Sequence, residues 1–148
     1  MNHLNEEVHI NAPIEHVWES FLDTSHWDDF GPRAKYTDFS GPVDKVGTTF
    51  VQSLRLMGFE MKSTWTIVEE EPLRLIHMRN DTGPMDESYR FEPQGAATRV
   101  VIESDYEMPG RVPGFIKDVM AKGWVERYMR HAAENFKALA EATLPAHA

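Results

Sequence analysis

The alternation of apolar and polar positions changes period along the chain. Leu4, Val8 and Ile10 stand among polar neighbours, which predicts a first strand over residues 4 to 11 with one covered face. Pro13 then opens a helix over residues 13 to 23, with Asn11 or Ala12 as its cap. Its single stripe is formed by Ile14, Val17, Trp18, Phe21 and Leu22, which recur at spacings of three and four. A short second helix is expected from Thr24 to Phe30, ended by Gly31-Pro32. From Arg33 to Met108 the period falls to two, punctuated at Gly41-Pro42, Gly47, Gly58, Glu71-Pro72, Gly83-Pro84 and Gly95, and predicts six further strands. The alternation is clearest in Phe59, Met61, Ser63, Trp65 and Ile67, and again in Val100, Ile102, Ser104, Tyr106 and Met108. Short links between consecutive strands predict antiparallel pairing, because parallel strands need crossover helices that the sequence does not supply.

After Pro113-Gly114 the pattern is helical to about residue 142. Val125, Met129, Ala132, Ala133, Phe136, Leu139 and Ala140 share one stripe, while Val112, Phe115, Ile116, Val119 and Met120 fall mostly in another sector. The shift predicts a bend or break at Ala121 to Trp124, where Gly123 weakens the helix and lets each half keep its own apolar face. The fold class expected is α+β: one domain over residues 1–148, with a seven-stranded antiparallel sheet, two short helices between strands 1 and 2, and a long C-terminal helix.

Composition narrows the function classes. Fifteen Lys+Arg against 24 Asp+Glu give a formal charge of -9, and the basic residues are scattered singly, so nucleic acid and anionic lipid surfaces are not expected partners. The N-terminus lacks a basic start followed by an apolar run, and no segment approaches the roughly 18 apolar residues that cross a bilayer. A cytoplasmic location without stable membrane insertion is the expectation. The absence of cysteine excludes disulfides, thiolate nucleophiles and cysteine metal sites. His26, Asp28 and Asp29 lack a fourth ligand and read as a solvated cap, and no phosphate-cradling loop, serine elbow or dinucleotide fingerprint occurs. Neither a metal nor a cofactor is expected.

Three stretches carry a family likeness: Val8-His-Ile-Asn-Ala-Pro-Ile-Glu-His-Val-Trp with Asp23 and Trp27 after it, Glu70-Glu-Glu-Pro-Leu-Arg-Leu, and Tyr89-Arg-Phe-Glu-Pro with Thr98-Arg-Val downstream. With the order of elements, they resemble the START-like, Bet v 1-like (SRPBCC) superfamily over nearly the whole chain. The similarity is to its polyketide cyclase/dehydrase-like and coenzyme Q-binding branch. The resemblance implies a helix-grip fold, in which a curved sheet wraps the last helix and a cavity lies between them. A fold alone does not assign an activity.

In such a fold the informative residues are polar ones in the dry face, because an inward polar group without a partner costs about 1–3 kcal/mol. Ser63, Glu87, Tyr89, Ser104 and Tyr106 lie in register with apolar neighbours, and Glu87 stands out because a buried carboxylate needs a cation, a donor or a raised pKa. The strand Leu73 to Asn80 can face either way. If its odd positions point inward, His77, Arg79 and Glu87 form a catalytic cluster suited to moving protons and stabilising an enolate; otherwise they are a surface ion pair with a histidine nearby. Met61, Trp65, Phe115, Met120, Trp124 and Tyr128 add soft and aromatic surface for an apolar ligand, joining Ser63, Tyr89, Ser104 and Tyr106 as candidate ligand-binding residues. The half of the last helix after Gly123 should be the packed part, and Phe115 to Trp124 the place where the cavity opens. Three functions stay open: binding of a lipid, polyketide, quinone or similar apolar molecule; a polyketide cyclase or dehydratase; and a protein-interaction module. The sequence is compatible with a homodimer and does not fix the oligomeric state.

Overall fold

Period-two patterning becomes a single sheet of seven strands in the computed structural model, which describes residues 2–31, 33–56, 58–81, 85–107, 113–119 and 123–145. The strands are β1 (Asn2–Ile10), β2 (Ala34–Thr37), β3 (Thr49–Leu56), β4 (Phe59–Glu71), β5 (Leu75–Asn80), β6 (Met85–Gln94) and β7 (Ala97–Tyr106). All neighbours pair antiparallel in the order β1-β7-β6-β5-β4-β3-β2, so the first strand closes one side by pairing with the last. Between β1 and β2 lie α1 (Ile14–Leu22) and a 3-10 helix (Thr24–Asp29). After β7 come α2 (Gly114–Val119) and α3 (Val125–Ala142). The β3–β4 hairpin closes between Leu56 and Phe59, where Gly58 takes φ +79°, a conformation that costs a glycine nothing.

Register aligns one inward side chain per strand into rows across the sheet. Phe50, Trp65, Asn80, Met85 and Tyr106 form one row; Ile67, Met78, Glu87, Ser104 and Leu4 form the next. Even positions of β5 therefore face inward, with Ile76, Met78 and Asn80 buried. His77 and Arg79 lie on the outer face, apart from Glu87, so the expected His77–Arg79–Glu87 cluster does not form. Strand pleat is the reason: Glu87 pairs with Met78, whereas His77 and Arg79 flank it with the opposite parity. Leu73, which suggested an inward odd face, precedes the strand in a turn at φ +63° and packs on the core without belonging to the alternation.

One end of the inward face is filled. Trp18 and Phe21 of α1 meet Phe91 at ring-centroid distances of 5.0 and 5.6 Å, and Phe21 meets Phe136 of α3 at 6.0 Å. Polar ties hold the helices there: Thr98 donates to the Ala12 carbonyl at 2.8 Å, and His16 donates through Nε2 to the Ala140 carbonyl at 2.8 Å. At the other end Ile116 of α2 is buried against Leu56, with Phe59, Met61 and Trp124 around it. The expected break lies between α2 and α3, where Gly123 takes φ +83°; residues 120–122, including Met120, and Val112 lie outside the described residues.

Phe91 is 2% exposed. Phe91→Ala should cost about 3–5 kcal/mol in denaturant unfolding, by lost burial and an unfilled cavity. A loss below about 1 kcal/mol would mean that this end of the core is not packed as described.

Candidate functional site

Between the packed end and the Leu56–Ile116 cluster, the sheet and α3 separate around a cavity of about 830 Å³. Its walls come from every strand but β1. Inward positions of β3 and β4 contribute Phe50, Leu54, Phe59, Met61 and Trp65; Met78, Tyr89 and Ile102 continue the wall, and Trp27 of the 3-10 helix adds to it. The roof is α3 with its N-cap Trp124, through Val125, Tyr128, Met129, Ala132, Ala133 and Phe136. Packing and lining are thus shared along α3 rather than divided at Gly123: Met129, Ala133 and Phe136 do both. The volume falls within the range of pockets that enclose small organic ligands. A second concavity, between β1 and α3, is an open groove of about 520 Å³ that holds the ion pairs Lys137–Glu141 at 2.5 Å and Arg130–Glu6 at 3.8 Å.

Polar groups enter the cavity as two hydrogen-bonded frames and one acid. Trp65 donates through Nε1 to Gln52 at 2.9 Å, and the Gln52 amide donates to the Tyr36 hydroxyl at 3.2 Å. Asn80 donates to Ser63 at 2.8 Å. Glu87 stands between Met78 and Ser104 in the sheet and accepts a short hydrogen bond from the Tyr89 hydroxyl. Protein encloses this carboxyl while leaving it on the cavity wall. Burial raises its pKa above the usual carboxylate range, and the Tyr89 bond works against that rise.

The tyrosines respond to the same enclosure. Burial pushes the Tyr89 and Tyr36 hydroxyls well above their ordinary value, with the Glu87 charge adding to both. Tyr128 is pushed up to about 12, chiefly by burial; the neighbouring Tyr36 hydroxyl opposes the rise and Glu87 adds to it. The Tyr128 hydroxyl is buried without a well-formed hydrogen bond among the described residues. It reaches Gly31, where a Cβ would stand 2.1 Å from its oxygen, so a glycine leaves the space that this tyrosine occupies.

Of the residues expected at the site, Met61, Ser63, Trp65, Glu87, Tyr89, Tyr106, Trp124 and Tyr128 line the cavity. Ser104 is fully buried in the adjacent row but does not border the cavity, and its hydroxyl has no partner among the described residues. Phe115 is 51% exposed and does not border the cavity, whereas its neighbour Ile116 is buried against Leu56. His77 and Arg79 instead meet Asp86 on the outer face, at 3.2 and 2.8 Å. Sequence reasoning missed Tyr36, Gln52 and Asn80; Gln52 was accessible through its place between Phe50 and Leu54, two residues from each. His26 lies 3.6 Å from both Asp23 and Asp29, and among the described residues no group of three or more metal-ligating side chains converges. No helix among the described residues is long and apolar enough to cross a membrane.

The sheet, the roof helix and the cavity between them define a helix-grip domain. The chain belongs to the family described as polyketide cyclase / dehydrase and lipid transport, whose model matches residues 1–141. Among solved structures it is similar to the Zhui aromatase/cyclase from a Streptomyces species, with TM-score 0.79 and 20% identity over 99% of this chain and 97% of that one. It is also similar to a protein from Arthrobacter aurescens, with TM-score 0.72 and 19% identity over 97% and 87% of the two chains. Norcoclaurine synthase from Thalictrum flavum matches with TM-score 0.70 and 15% identity over 97% and 88%. At these identities the likeness is one of fold. No curated protein matches the chain in sequence.

The raised Glu87 pKa has a consequence for stability. The folded state holds this proton more tightly than the unfolded chain, so the contribution of Glu87 is most favourable at low pH and declines as pH rises from the unfolded value, about 4.5, through the folded one. Glu87→Gln keeps an acceptor for Tyr89 and removes the charge. We expect it to raise Tm at pH 7, by about 2–4 °C for each kcal/mol relieved, with little change at pH 4. Thermal unfolding across that range checks this; a variant that melts lower at pH 7 would show the carboxylate to be well satisfied in the fold.

Proposed function

We propose that the protein binds a small, largely apolar molecule, of lipid, polyketide, quinone or similar character, in the cavity between the sheet and α3. The observation that carries this reading is the space of about 830 Å³ between sheet and α3, with mostly apolar and aromatic walls. Met61, Trp65, Trp124 and Tyr128 would contact the ligand body, with Ser63, Tyr89 and Tyr106 near its polar groups. A ligand that buries about 300 Å² of apolar surface gains about 7 kcal/mol before the cost of immobilisation, enough for useful affinity without chemistry.

The Glu87–Tyr89 pair favours a second reading, an acid/base enzyme of cyclase or dehydratase type. A carboxyl with a raised pKa on a cavity wall can take a proton from carbon or give one to a departing hydroxyl, and a neutral tyrosine beside it can stabilise an enolate. In this reading Glu87 and Tyr89 take the part expected of His77, Arg79 and Glu87 together. Glu87→Gln would then reduce any cyclisation of a polyketone surrogate by about 100-fold or more while leaving the protein folded.

Binding is tested with N-phenyl-1-naphthylamine, a dye that is uncharged at pH 7 and fluoresces in apolar surroundings. We expect saturable binding to the full chain. Ala132→Phe, which places a ring in the cavity from a half-buried roof position, should weaken it at least about tenfold while the circular dichroism spectrum is kept. Equal affinity in the two proteins would move the dye, and the reading, elsewhere.

A further inference from the structure

We propose that the ligand carries a protonated amine, which sits against the Glu87 carboxylate, and that the cavity turns away the corresponding carboxylate. This deepens the binding reading and rests on it. The ionisable groups on the wall are unequal in sign. Glu87 is the acid in the interior, Glu60, Asp81 and Glu107 border the space, and the single basic residue among the described lining residues is Lys62. The Lys62 side chain is 68% exposed and lies 4.0 Å from Glu60, so its charge is held outside and largely matched there. An anionic ligand would meet acids, with no interior cation among the described lining residues to receive it.

The hydrogen-bond inventory points the same way. An ionised carboxylate offers about four acceptor sites. Among the described residues only Tyr89 donates to Glu87. Tyr36 of β2 and Tyr128 of α3 are the other titratable groups whose hydroxyls feel its charge, and the Tyr128 hydroxyl is itself buried without a well-formed bond. An ammonium group brings three donors and the missing positive charge, enough to serve Glu87 and to reach a tyrosine oxygen. The rings of Tyr36, Tyr89, Tyr128, Trp27 and Trp65 line the same space, and aromatic faces attract cations when water is excluded. A neutral alcohol would use one acceptor site and leave the buried charge unmatched, while a carboxylate would place a second anion beside the first.

The experiment compares three probes of one shape: 2-(1-naphthyl)ethylamine as its ammonium form, 2-(1-naphthyl)ethanol and 1-naphthylacetate. Each is titrated calorimetrically into the full chain and into Glu87→Gln at pH 7. The ammonium probe should bind at least tenfold tighter than either of the others, and Glu87→Gln should abolish that advantage, bringing amine and alcohol to within about twofold of each other in the variant. If the variant does not fold, the wild type titrated from pH 7 down to 4.5 serves instead: the advantage should shrink as Glu87 takes its proton, with the alcohol unchanged. The proposal is overturned if the alcohol or the carboxylate binds as well as the amine, or if the amine keeps its advantage without the Glu87 charge. It also fails, with the cavity reading intact, if none of the three binds while N-phenyl-1-naphthylamine does. Failure of that dye as well removes both.

Discussion

Strand parity is the constraint on which the rest of this molecule depends. Seven antiparallel strands leave each side chain only two directions, toward α3 or toward solvent, and one row fixes the next, save where the β4–β5 register shifts between Ile67 and Glu69. Parity sends Glu87 and Tyr89 inward with Met78 and Ile76, and sends Asp86 outward to meet His77 and Arg79. The same rule puts Gln52 opposite Ser63 and Asn80 opposite Trp65, so the polar frames inside the cavity are consequences of pairing rather than local accidents.

The inward face does not offer α3 a uniform surface. Phe91, Val100 and Ile10 lie in the part filled by α1 and the end of α3, where Trp18, Phe21 and Phe136 interlock. Toward the β3–β4 hairpin the same face widens around the cavity, and Ile116 of α2 packs on Leu56 beside the lining residues Phe59, Met61 and Trp124. One end therefore supplies the burial that holds the fold, and the other holds Glu87, whose charge is disfavoured by burial and supported by a single tyrosine bond. A site that strains one end of a sheet is tolerable because the other end is packed.

Much of this was legible in the sequence because period two is a strong signal where one face is dry. β4 and β7 read directly from Phe59 to Ile67 and from Val100 to Tyr106, and the helix break read from the shift of stripe near Gly123. β5 did not, because Leu73 and Leu75 made the odd face look apolar: Leu73 belongs to a turn, and Leu75 is buried on the outer face. Glu87 was legible as an inward carboxylate from its own strand. Its partner was not, since Tyr89 lies on the same strand two residues on, and adjacent-strand reasoning looked instead to His77 and Arg79. Tyr36 escaped because β2 has only four residues, too few for alternation to be read. Phe115 and Ile116 shared an apolar sector in the sequence, yet only Ile116 is covered.

The four tryptophans give the most direct test that the cavity is the ligand site. Trp27, Trp65 and Trp124 border it, whereas Trp18 is buried in the filled end against Phe91. In a nitrogen-15 correlation spectrum recorded as an apolar ligand is added, the indole resonances of Trp27, Trp65 and Trp124 should shift together while that of Trp18 stays in place. Shifts confined to Trp18, or to backbone amides along the groove between β1 and α3, would contradict the account.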